Sequence, residues 1–493
     1  MARAADRATS WAPIGAAVAL FVLVGASRDN AARPPLGPHG WAPGSWIPLA
    51  LTPAVVTGVL VMAYGLGVLG TYAALRSAAP RAVAWGPALA VGALILLTQP
   101  FGSADHVNYA AYGRILVGGG DPYTTSPIGW HGGHDPVTSH VEPPWTTAPS
   151  VYGPVATYLQ GLAALVGGAN LRQVVWVWQV VVVSSWLATR WLLRRLTDRH
   201  ARVDALWTFN PLVLGVGVFG AHVDVVAAPL VLAAVLLAVR SPLAGGLLAG
   251  LAVATKATDA VVVPAVAAAW WVAARSGSRR FARSALVGGI ACVATLVATH
   301  VPLGSHVYDQ LLRVRRSVSL ATPWRPLVEL LTGPLSSGVV RTLVSVLAAV
   351  VMVALAAVLW RLTAGLAEVG PLGQASRVAF VLAAAYAVVA PYSLPWYDTL
   401  AWAALAPLGA SRLDGLLLAR GLVMAVAYVP GRVLGMTPRV ERLTLGFRRH
   451  VAPVAGVLAW AAVAVLGVSG RAGRPASAPS SGGPPRESPP PSR

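Results

Sequence analysis

Asp105 is the residue of this sequence best placed to act as a general base. It lies in residues 98–125, where a long apolar run gives way to polar residues. A carboxylate against lipid is expensive to ionise, whereas one at the boundary between membrane and water ionises more cheaply and still accepts a proton. Tyr109 and Tyr112 follow at helical spacing and predict a helix over 106–117. The ordinary alternative is that Asp105 caps the N-terminus of this helix.

The end of the same segment holds further polar residues. Three glycines at 118–120 end the predicted helix, and Asp121-Pro122 then begins a turn. Turn formation is the simpler interpretation of Asp121, and contact with a bound substrate is the alternative. Arg114 and Tyr123 join Asp121 as candidate substrate-binding residues.

A second polar break, residues 220–224, separates two apolar runs. His222 and Asp224 lie two positions apart within it and form a pair able to hydrogen-bond sugar hydroxyls. A metal site needs more ligands than this pair supplies, so no metal is predicted. The alternative is a solvated turn that binds nothing.

Lys256 is the only lysine in the chain, and it lies with Asp259 between two apolar runs. An ionisable pair at membrane depth is a functional hypothesis by default. A lysine ammonium at this place can hold a phosphate as a point charge. The alternative is a lysine that extends its charged end to the outer boundary of the membrane.

Residues 302–337 form a basic loop. Guanidinium groups bind phosphate through two parallel hydrogen bonds, so a lipid phosphate is expected near this loop. Attraction to anionic lipid head groups is the alternative. The arginines concerned are Arg313, Arg315, Arg316 and Arg325.

Residues 391–398 form an aromatic break. Pro391 and Pro395 exclude a regular helix through it. Trp396 and Tyr397 suit a membrane interface whether or not they contact a ligand. They are therefore either part of an interfacial belt or a platform for a sugar.

Composition places the chain among membrane proteins. Its 493 residues are 56% hydrophobic and 11% charged, with a mean hydropathy of +0.65. Soluble proteins carry about 25% charged residues, so we predict an all-α, polytopic membrane protein. The net charge of +20 is explained by arginines between apolar runs, so no nucleic-acid partner is expected. The single cysteine, Cys292, excludes an intrachain disulfide.

Apolar runs of spanning length predict about 12 to 15 transmembrane helices. Arginine-rich loops should face the cytoplasm, which places residues 100–150 outside. Residues 151–167 must then lie along the outer interface rather than cross the membrane. With this assignment the later polar breaks fall on the outer side, but so does the basic loop 431–449, which the arginine rule does not explain.

Four segments follow from this topology. Residues 1–99 are N-terminal transmembrane helices, and 100–170 are an outer catalytic loop with interfacial helices. Residues 171–470 form a transmembrane helix bundle with outer loops. Residues 471–493 are rich in Pro, Ser, Gly and Arg and are predicted to be a disordered tail.

The sequence lacks the motifs of nucleotide chemistry. No Walker motif, dinucleotide-binding glycine pattern, zinc spacing or Ser/His/Asp motif is visible. An enzyme that uses a nucleotide sugar needs a soluble α/β domain, for which the chain has no room. No cofactor is therefore predicted, and an activated sugar would be carried by a lipid.

Residues 90–410 resemble the glycosyltransferase-C superfamily, and more closely the polyprenol-phosphomannose-dependent α-1,6-mannosyltransferases of actinobacteria. Four features in order carry the resemblance. They are Asp105 to Gly120-Asp121-Pro122-Tyr123; Asp135-Pro136 with Trp145 and Tyr152-Gly153-Pro154; Asn210-Pro211-Leu212 with Gly220-Ala221-His222-Val223-Asp224; and Gly250-Leu251, Lys256 and Pro395-Trp396-Tyr397. The chain departs from the family pattern at Val223 and Asp398, which bears on substrate identity.

The resemblance implies an acidic base in the first large outer loop, which corresponds to Asp105, and a polyprenyl-phosphate sugar donor. We therefore expect an inverting hexosyltransferase, with mannose as the expected sugar, in the plasma membrane with its active site outside. Its partners would be the lipid-linked donor, a glycan or glycolipid acceptor and membrane lipids. The alternatives are a lipid or solute transporter, a structural or assembly membrane protein, and an arabinosyltransferase that uses a lipid-linked pentose.

Overall fold

The computed structural model describes residues 2–77, 81–274, 277–432 and 434–469. Within these ranges the chain is helical and contains no strand. The α-helices are α1 Ala2–Ala26, α2 Pro53–Arg76, α3 Trp85–Leu96, α4 Asp105–Val117, α5 Pro154–Gly167, α6 Leu171–Leu196, α7 His200–Val203, α8 Val223–Ala238, α9 Pro242–Thr255, α10 Val262–Ala273, α11 Ser278–His300, α12 Asp309–Val314, α13 Trp324–Leu331, α14 Ser337–Leu362, α15 Pro371–Val389, α16 Thr399–Leu405, α17 Arg412–Ala427, α18 Pro438–Gly446 and α19 Ala452–Ser469. The predicted disordered tail, 471–493, lies outside the described residues.

Short 3-10 and π segments join these helices. The 3-10 segments are Trp130–Gly133, Thr138–His140, Ala257–Val261, Val301–Leu303 and Pro395–Asp398. The π segments are Asp204–Thr208, Leu212–Phe219 and Phe447–Val451. They mark the places where the chain leaves regular helix.

Six helical segments of the described chain are long and apolar enough to cross a membrane, or seven if one bent pair counts as a single span. The six are Pro53–Arg76, Leu171–Leu196, Ser278–Leu303, Ser337–Leu362, Pro371–Val389 and Pro438–Ser469. This confirms the all-α, polytopic membrane architecture. The larger predicted number of spans requires that shorter apolar helices, such as Pro242–Thr255, cross as well, and it stays a prediction.

Apolar side chains cover the outside of the bundle as well as its inside. Leu69 of α2, Ile290 of α11 and Val353 of α14 are each more than half exposed. The indoles of Trp178 and Trp186 on α6, by contrast, are fully buried. An outer surface this apolar belongs in lipid, because water would make it an aggregation surface.

Helix α6 defines the two ends of the bundle. Near its start, Arg172 donates to the carbonyl oxygen of Thr98 and Trp178 donates to that of Ala221. Near its finish, Arg190 and Arg194 contact Asp204. Twenty-six residues of α-helix span about 39 Å, so these contacts lie at opposite ends. We call them the Asp105 end and the arginine end.

The arginine end is held by buried ion pairs. Asp204 lies 3.0 Å from Arg190 and 2.6 Å from Arg194, and the Arg190 and Asp204 side chains are fully buried. The second Asp204 oxygen also accepts from the backbone N–H of Val83, which ties the loop before α3 to α6. Arg202 and Asp414 form a further pair at 2.6 Å between α7 and α17.

A bent helix pair brings His222 and Asp224 to the Asp105 end. The π segment Leu212–Phe219 and α8 meet at 110° across the break at residues 220–222. Ala221 at this break has a φ of 55°, a left-handed conformation that costs a non-glycine residue about 1 kcal/mol. Its carbonyl accepts from the buried Trp178 indole at 2.7 Å, and this bond holds the strained turn.

Helix α5 is shorter than a membrane is thick. Its 14 residues span about 21 Å, against about 30 Å for a hydrocarbon core. Leu162 and Leu165 are at least half exposed on it. This length is compatible with the interfacial position expected for residues 151–167, which stays a prediction.

The buried pairs at the arginine end make Asp204 a sensitive position. We expect Asp204→Asn to destabilise the protein by about 3 kcal/mol, because two arginines lose their shared counter-charge inside the bundle. Thermal unfolding in detergent measures the loss. The exposed Asp198, four residues beyond Arg194 in the chain, supplies the control: Asp198→Asn should change the unfolding midpoint little. Equal midpoints for the two variants would contradict a structural role for the Asp204 charge.

Candidate active site

Asp105 is the first residue of α4, and its carboxylate does not cap that helix. The N-cap is Ala104, and no side chain caps the helix. The Asp105 N–H donates instead to Ser103 Oγ at 3.2 Å. The capping interpretation of Asp105 is therefore wrong. The positive end of the helix dipole still favours a negative charge at this place.

His222 fixes the surroundings of the Asp105 carboxylate. Its Nδ1 lies 3.7 Å from Asp105 Oδ2 and 3.4 Å from the Tyr109 hydroxyl, and its Nε2 lies 3.2 Å from Ser103 Oγ. The ring stacks on the Trp396 indole with centroids 3.7 Å apart. His222 is 1% exposed, so it positions Asp105 and its neighbours. The predicted direct contact of His222 with a sugar would require these groups to move apart.

The Asp105 carboxyl has a pKa near neutral pH. Burial raises the pKa of Asp105 to about 7; the Asp224 carboxylate raises it further, and the Lys256 ammonium opposes both. Among the described residues no lysine or arginine forms an ion pair with it. A carboxyl with this pKa is partly ionised at neutral pH and is matched to accept a proton from a hydroxyl.

Lys256 lies at the end of α9 and pairs with Asp224. The distance from Nζ to Asp224 Oδ1 is 2.5 Å, and both side chains are about nine-tenths buried. Lys256 Nζ also lies 4.0 Å from the centroid of the Tyr397 ring, a cation–π contact. Lys256 therefore connects its own segment to the polar break at residues 220–224 and to the aromatic break at residues 391–398.

A buried ion pair holds the aromatic break in place. Arg420 of α17 makes two hydrogen bonds to the Asp398 carboxylate and donates to the carbonyl oxygen of Ala387 at 2.6 Å. Both charged side chains are at least nine-tenths buried. The pair fixes Pro395–Asp398, from which Trp396 reaches His222 and Tyr397 reaches Lys256.

Three other predicted site residues have structural partners. Arg114 lies 2.9 Å from Asp135, and the Tyr123 hydroxyl lies 2.8 Å from that of Thr157. Asp121 accepts from the backbone N–H of Tyr123 at 2.9 Å, as a turn residue does, and its other oxygen lies 2.5 Å from His306 Nε2. These contacts shape the loop around the site, and none of them reaches Asp105.

The predicted arginines lie on the surface. Arg313, Arg315 and Arg316 are exposed on α12 and the turn that follows it. Arg325 pairs with Glu329 one turn further along α13. In the part of the chain that the structure describes, no hydrogen bond joins these arginines to Asp105, Asp224 or Lys256.

Sequence reasoning missed Arg420 and Ser103 as parts of this site. A signal existed for Arg420, because a lone arginine inside an apolar run is functional or structural by default. Ser103 carried no such signal, since its contact with His222 depends on residues more than a hundred positions apart. Among the described residues no group of three or more His, Cys, Asp or Glu side chains is arranged to hold a metal.

Residues 12–273, more than half of the chain, match the family model described as alpha-(1->6)-mannopyranosyltransferase, N-terminal domain. The chain belongs to this mannopyranosyltransferase family. The matched range contains Asp105, His222 and Lys256, whereas the aromatic break and Arg420 lie beyond it.

Curated members of the family match shorter stretches. Alpha-(1->6)-mannopyranosyltransferase A of Mycobacterium tuberculosis is 28% identical over 181 residues, 36% of this chain and 34% of the relative. A probable alpha-(1->6)-mannopyranosyltransferase of Mycolicibacterium smegmatis is 31% identical over 189 residues, 37% of this chain and 34% of the relative. Alpha-(1->6)-mannopyranosyltransferase B of Corynebacterium glutamicum is 26% identical over 188 residues, 37% of this chain and 28% of the relative.

The matched stretch thus spans about a third of the length of these mannopyranosyltransferases. No solved structure matches the chain.

The ion pair behind the aromatic break predicts a pattern among variants of this mannopyranosyltransferase family member. Arg420→Met should destabilise it by about 3 kcal/mol, because Asp398 is left buried without its cation. The double variant Arg420→Met with Asp398→Asn should recover most of that loss, since no unpaired charge remains. Thermal unfolding of the three proteins measures both effects. A double variant no more stable than Arg420→Met would show that packing, and not charge, fixes this break.

The raised pKa of Asp105 predicts a stability effect that depends on pH. A carboxyl whose folded pKa lies above its unfolded value of about 3.9 stabilises the fold fully only at low pH, and this contribution is lost as pH rises to about 7. Asp105→Asn does not titrate. Its unfolding midpoint should therefore exceed that of the wild type most at pH 8, and the difference should shrink as the pH falls toward 4. A difference independent of pH would contradict the raised pKa.

Proposed function

We propose that this protein transfers mannose from a polyprenyl-phosphate donor to a glycan or glycolipid acceptor. The observation that carries the proposal is Asp105: a largely buried carboxyl with a pKa of about 7 and no lysine or arginine ion-pair partner among the described residues, close to the buried His222 and to the Lys256–Asp224 pair. Membership of the mannopyranosyltransferase family supports mannose as the sugar.

The proposed reaction is a single displacement. Asp105 accepts the proton of an acceptor hydroxyl while that oxygen bonds to the anomeric carbon of the donor sugar. The bond from the anomeric carbon to the phosphate oxygen breaks, and polyprenyl phosphate leaves with the bonding electrons as an anion. One displacement inverts the configuration at the anomeric carbon. His222 keeps the carboxylate in place for the attack.

Lys256 is proposed to stabilise the leaving phosphate. Its ammonium is held between Asp224 and the Tyr397 ring, at a site where a charge acts more strongly than in water. Because Asp224 already neutralises it, an arriving phosphate shares the lysine with this carboxylate. The arginines of the basic loop, the exposed Arg313, Arg315 and Arg316 and the partly exposed Arg325, are proposed to attract the anionic lipid head group.

A lipid carrier fits the architecture better than a nucleotide does. The described chain contains helices and loops but no strand, and so offers no α/β domain with glycine-rich phosphate loops. A lipid-linked donor brings its own sugar and phosphate to the membrane boundary, where a polytopic protein can receive them. The acceptor would approach Asp105 from the aqueous side.

The ends of the bundle suggest its orientation. Arg190, Arg194, Arg195, Arg199 and Arg202 lie together at the arginine end. Short arginine-rich segments stay in the cytoplasm during insertion, so we place Asp105 on the outer face of the plasma membrane. The segment limits 100–170 and 171–470 remain part of this proposal.

Replacement of Asp105 tests the proposed base. In membranes supplied with polyprenyl-phosphate mannose and acceptor, Asp105→Asn should lower the transfer rate at least about a hundredfold, the usual contribution of a positioned base. In the wild type, the rate should rise with pH through about 7 and then level off, because the ionised carboxylate is the active form.

Asp198→Asn, at the arginine end, is the control and should transfer mannose at the wild-type rate. Full transfer by Asp105→Asn would remove this residue from the role of base. An inactive wild type with every lipid-phosphate sugar tested would overturn the proposed function itself.

A further inference from the structure

A cavity beside Lys256 is not used in the proposed proton transfer to Asp105 or in phosphate binding. It lies between the start of α8, the segment Ala257–Val261 and the end of α15. The empty space, counted with its open side, is about 360 Å³. Its polar lining consists of Asp224, Thr258, Asp259, Tyr386 and Tyr397.

Two buried carboxylate oxygens in this lining have no partner. Neither Asp224 Oδ2 nor Asp259 Oδ2 receives a hydrogen bond from any described residue. Asp259 is 5% exposed, and the Asp224 side chain is 9% exposed. Buried acceptors in native proteins are nearly always hydrogen-bonded, because leaving one unpaired is costly. These two oxygens therefore point to a ligand that donates hydrogen bonds.

The chemistry of the lining selects a neutral polyol. The two carboxyl groups offer no positive charge to an anion, and the Lys256 ammonium, already on the other oxygen of Asp224, disfavours a cation. Hydroxyl groups donate to carboxylates without bringing a charge into a buried site. The Tyr386 and Tyr397 rings lie 16° from parallel and form an aromatic wall. Acceptor oxygens beside aromatic rings suit one edge of a sugar ring.

The position of the cavity indicates which sugar it holds. Asp224 contacts Lys256 through Oδ1, leaves Oδ2 without a hydrogen bond, and also lines the cavity. A phosphate at Lys256 therefore has its attached sugar within reach of this lining. The acceptor hydroxyl, by contrast, must approach Asp105, which contacts His222.

We propose that Asp259, with the free oxygen of Asp224, binds hydroxyls of the donor sugar and selects which lipid-linked sugar the protein uses. This inference rests on the proposed function, because it assumes a lipid-phosphate sugar at Lys256. It adds a residue, Asp259, whose role is to recognise the sugar and not to hold the phosphate or move the proton.

Binding measurements separate sugar recognition from phosphate recognition. The full-length protein in detergent is titrated with polyprenyl-phosphate mannose and, separately, with polyprenyl phosphate that carries no sugar. Asp259→Asn should bind the mannose-bearing lipid about ten times more weakly than the wild type, the usual effect of losing one hydrogen bond. Its affinity for the bare lipid phosphate should be unchanged.

Asp198→Asn is the matched control and should bind both lipids as the wild type does. Equal losses for both lipids in Asp259→Asn would overturn the proposal, since the residue would then act on the phosphate or on the fold. An unchanged affinity for the mannose-bearing lipid would overturn it as well.

Donor analogues test the same proposal in the wild type, where no variant needs to fold. Monodeoxy donors, each lacking one sugar hydroxyl, should identify one or two hydroxyls whose removal weakens binding about tenfold or more. In Asp259→Asn the penalty for removing such a hydroxyl should largely disappear. Wild-type affinity indifferent to every hydroxyl would contradict a sugar subsite.

Mannose transfer tests the proposed function, whereas binding tests the sugar subsite. A wild type that binds the mannose-bearing lipid through these hydroxyls but transfers nothing would leave the sugar subsite standing and overturn the transferase. A wild type that transfers mannose while Asp259→Asn keeps full affinity would support the transferase and overturn the sugar subsite.

Discussion

The cost of burying charge among apolar helices governs this structure. A charged side chain is tolerated there when a partner of opposite charge lies in direct contact. Arg190 with Asp204 and Arg420 with Asp398 satisfy this condition, and each pair ties together segments that are distant or irregular. Asp105 does not, because its one ion-pair contact among the described residues is with a histidine at 3.7 Å. Asp105, the proposed base, and Asp259 of the proposed sugar subsite thus differ from the paired structural carboxylates.

Breaks in the helices deliver the polar groups to one place. Backbone that is not helical is tolerated at membrane depth only where other groups satisfy it or where it lines a cavity. Asn210 shows the first case, since its side chain bonds to the carbonyl of Leu206 and the N–H of Leu212 around Pro211. The breaks at 220–224 and 391–398 show the second, because they present His222, Asp224 and the aromatic residues to the site.

Lys256 joins separate parts of the candidate site. It contacts Asp224 from one break and Tyr397 from another, so a single cation joins three separate parts of the chain. Pairing lowers the cost of burying the lysine, and in the proposed mechanism it also means that the donor phosphate shares the lysine with a carboxylate. On this view the affinity for the donor is balanced between two anions, a balance that favours release of the product phosphate.

Composition and the period of the apolar runs determined the membrane architecture, because every spanning helix must be apolar over its own length. The sequence likewise singled out Asp105, His222, Asp224, Lys256 and the Pro-Trp-Tyr segment, since polar residues between apolar runs stand out locally. Tertiary structure alone decided which of them meet. Arg114 and the arginines of the basic loop carry the same charge as Lys256, yet Arg114 pairs with Asp135 and the loop lies on the surface. Such pairings join residues far apart in the chain, and local sequence does not encode them.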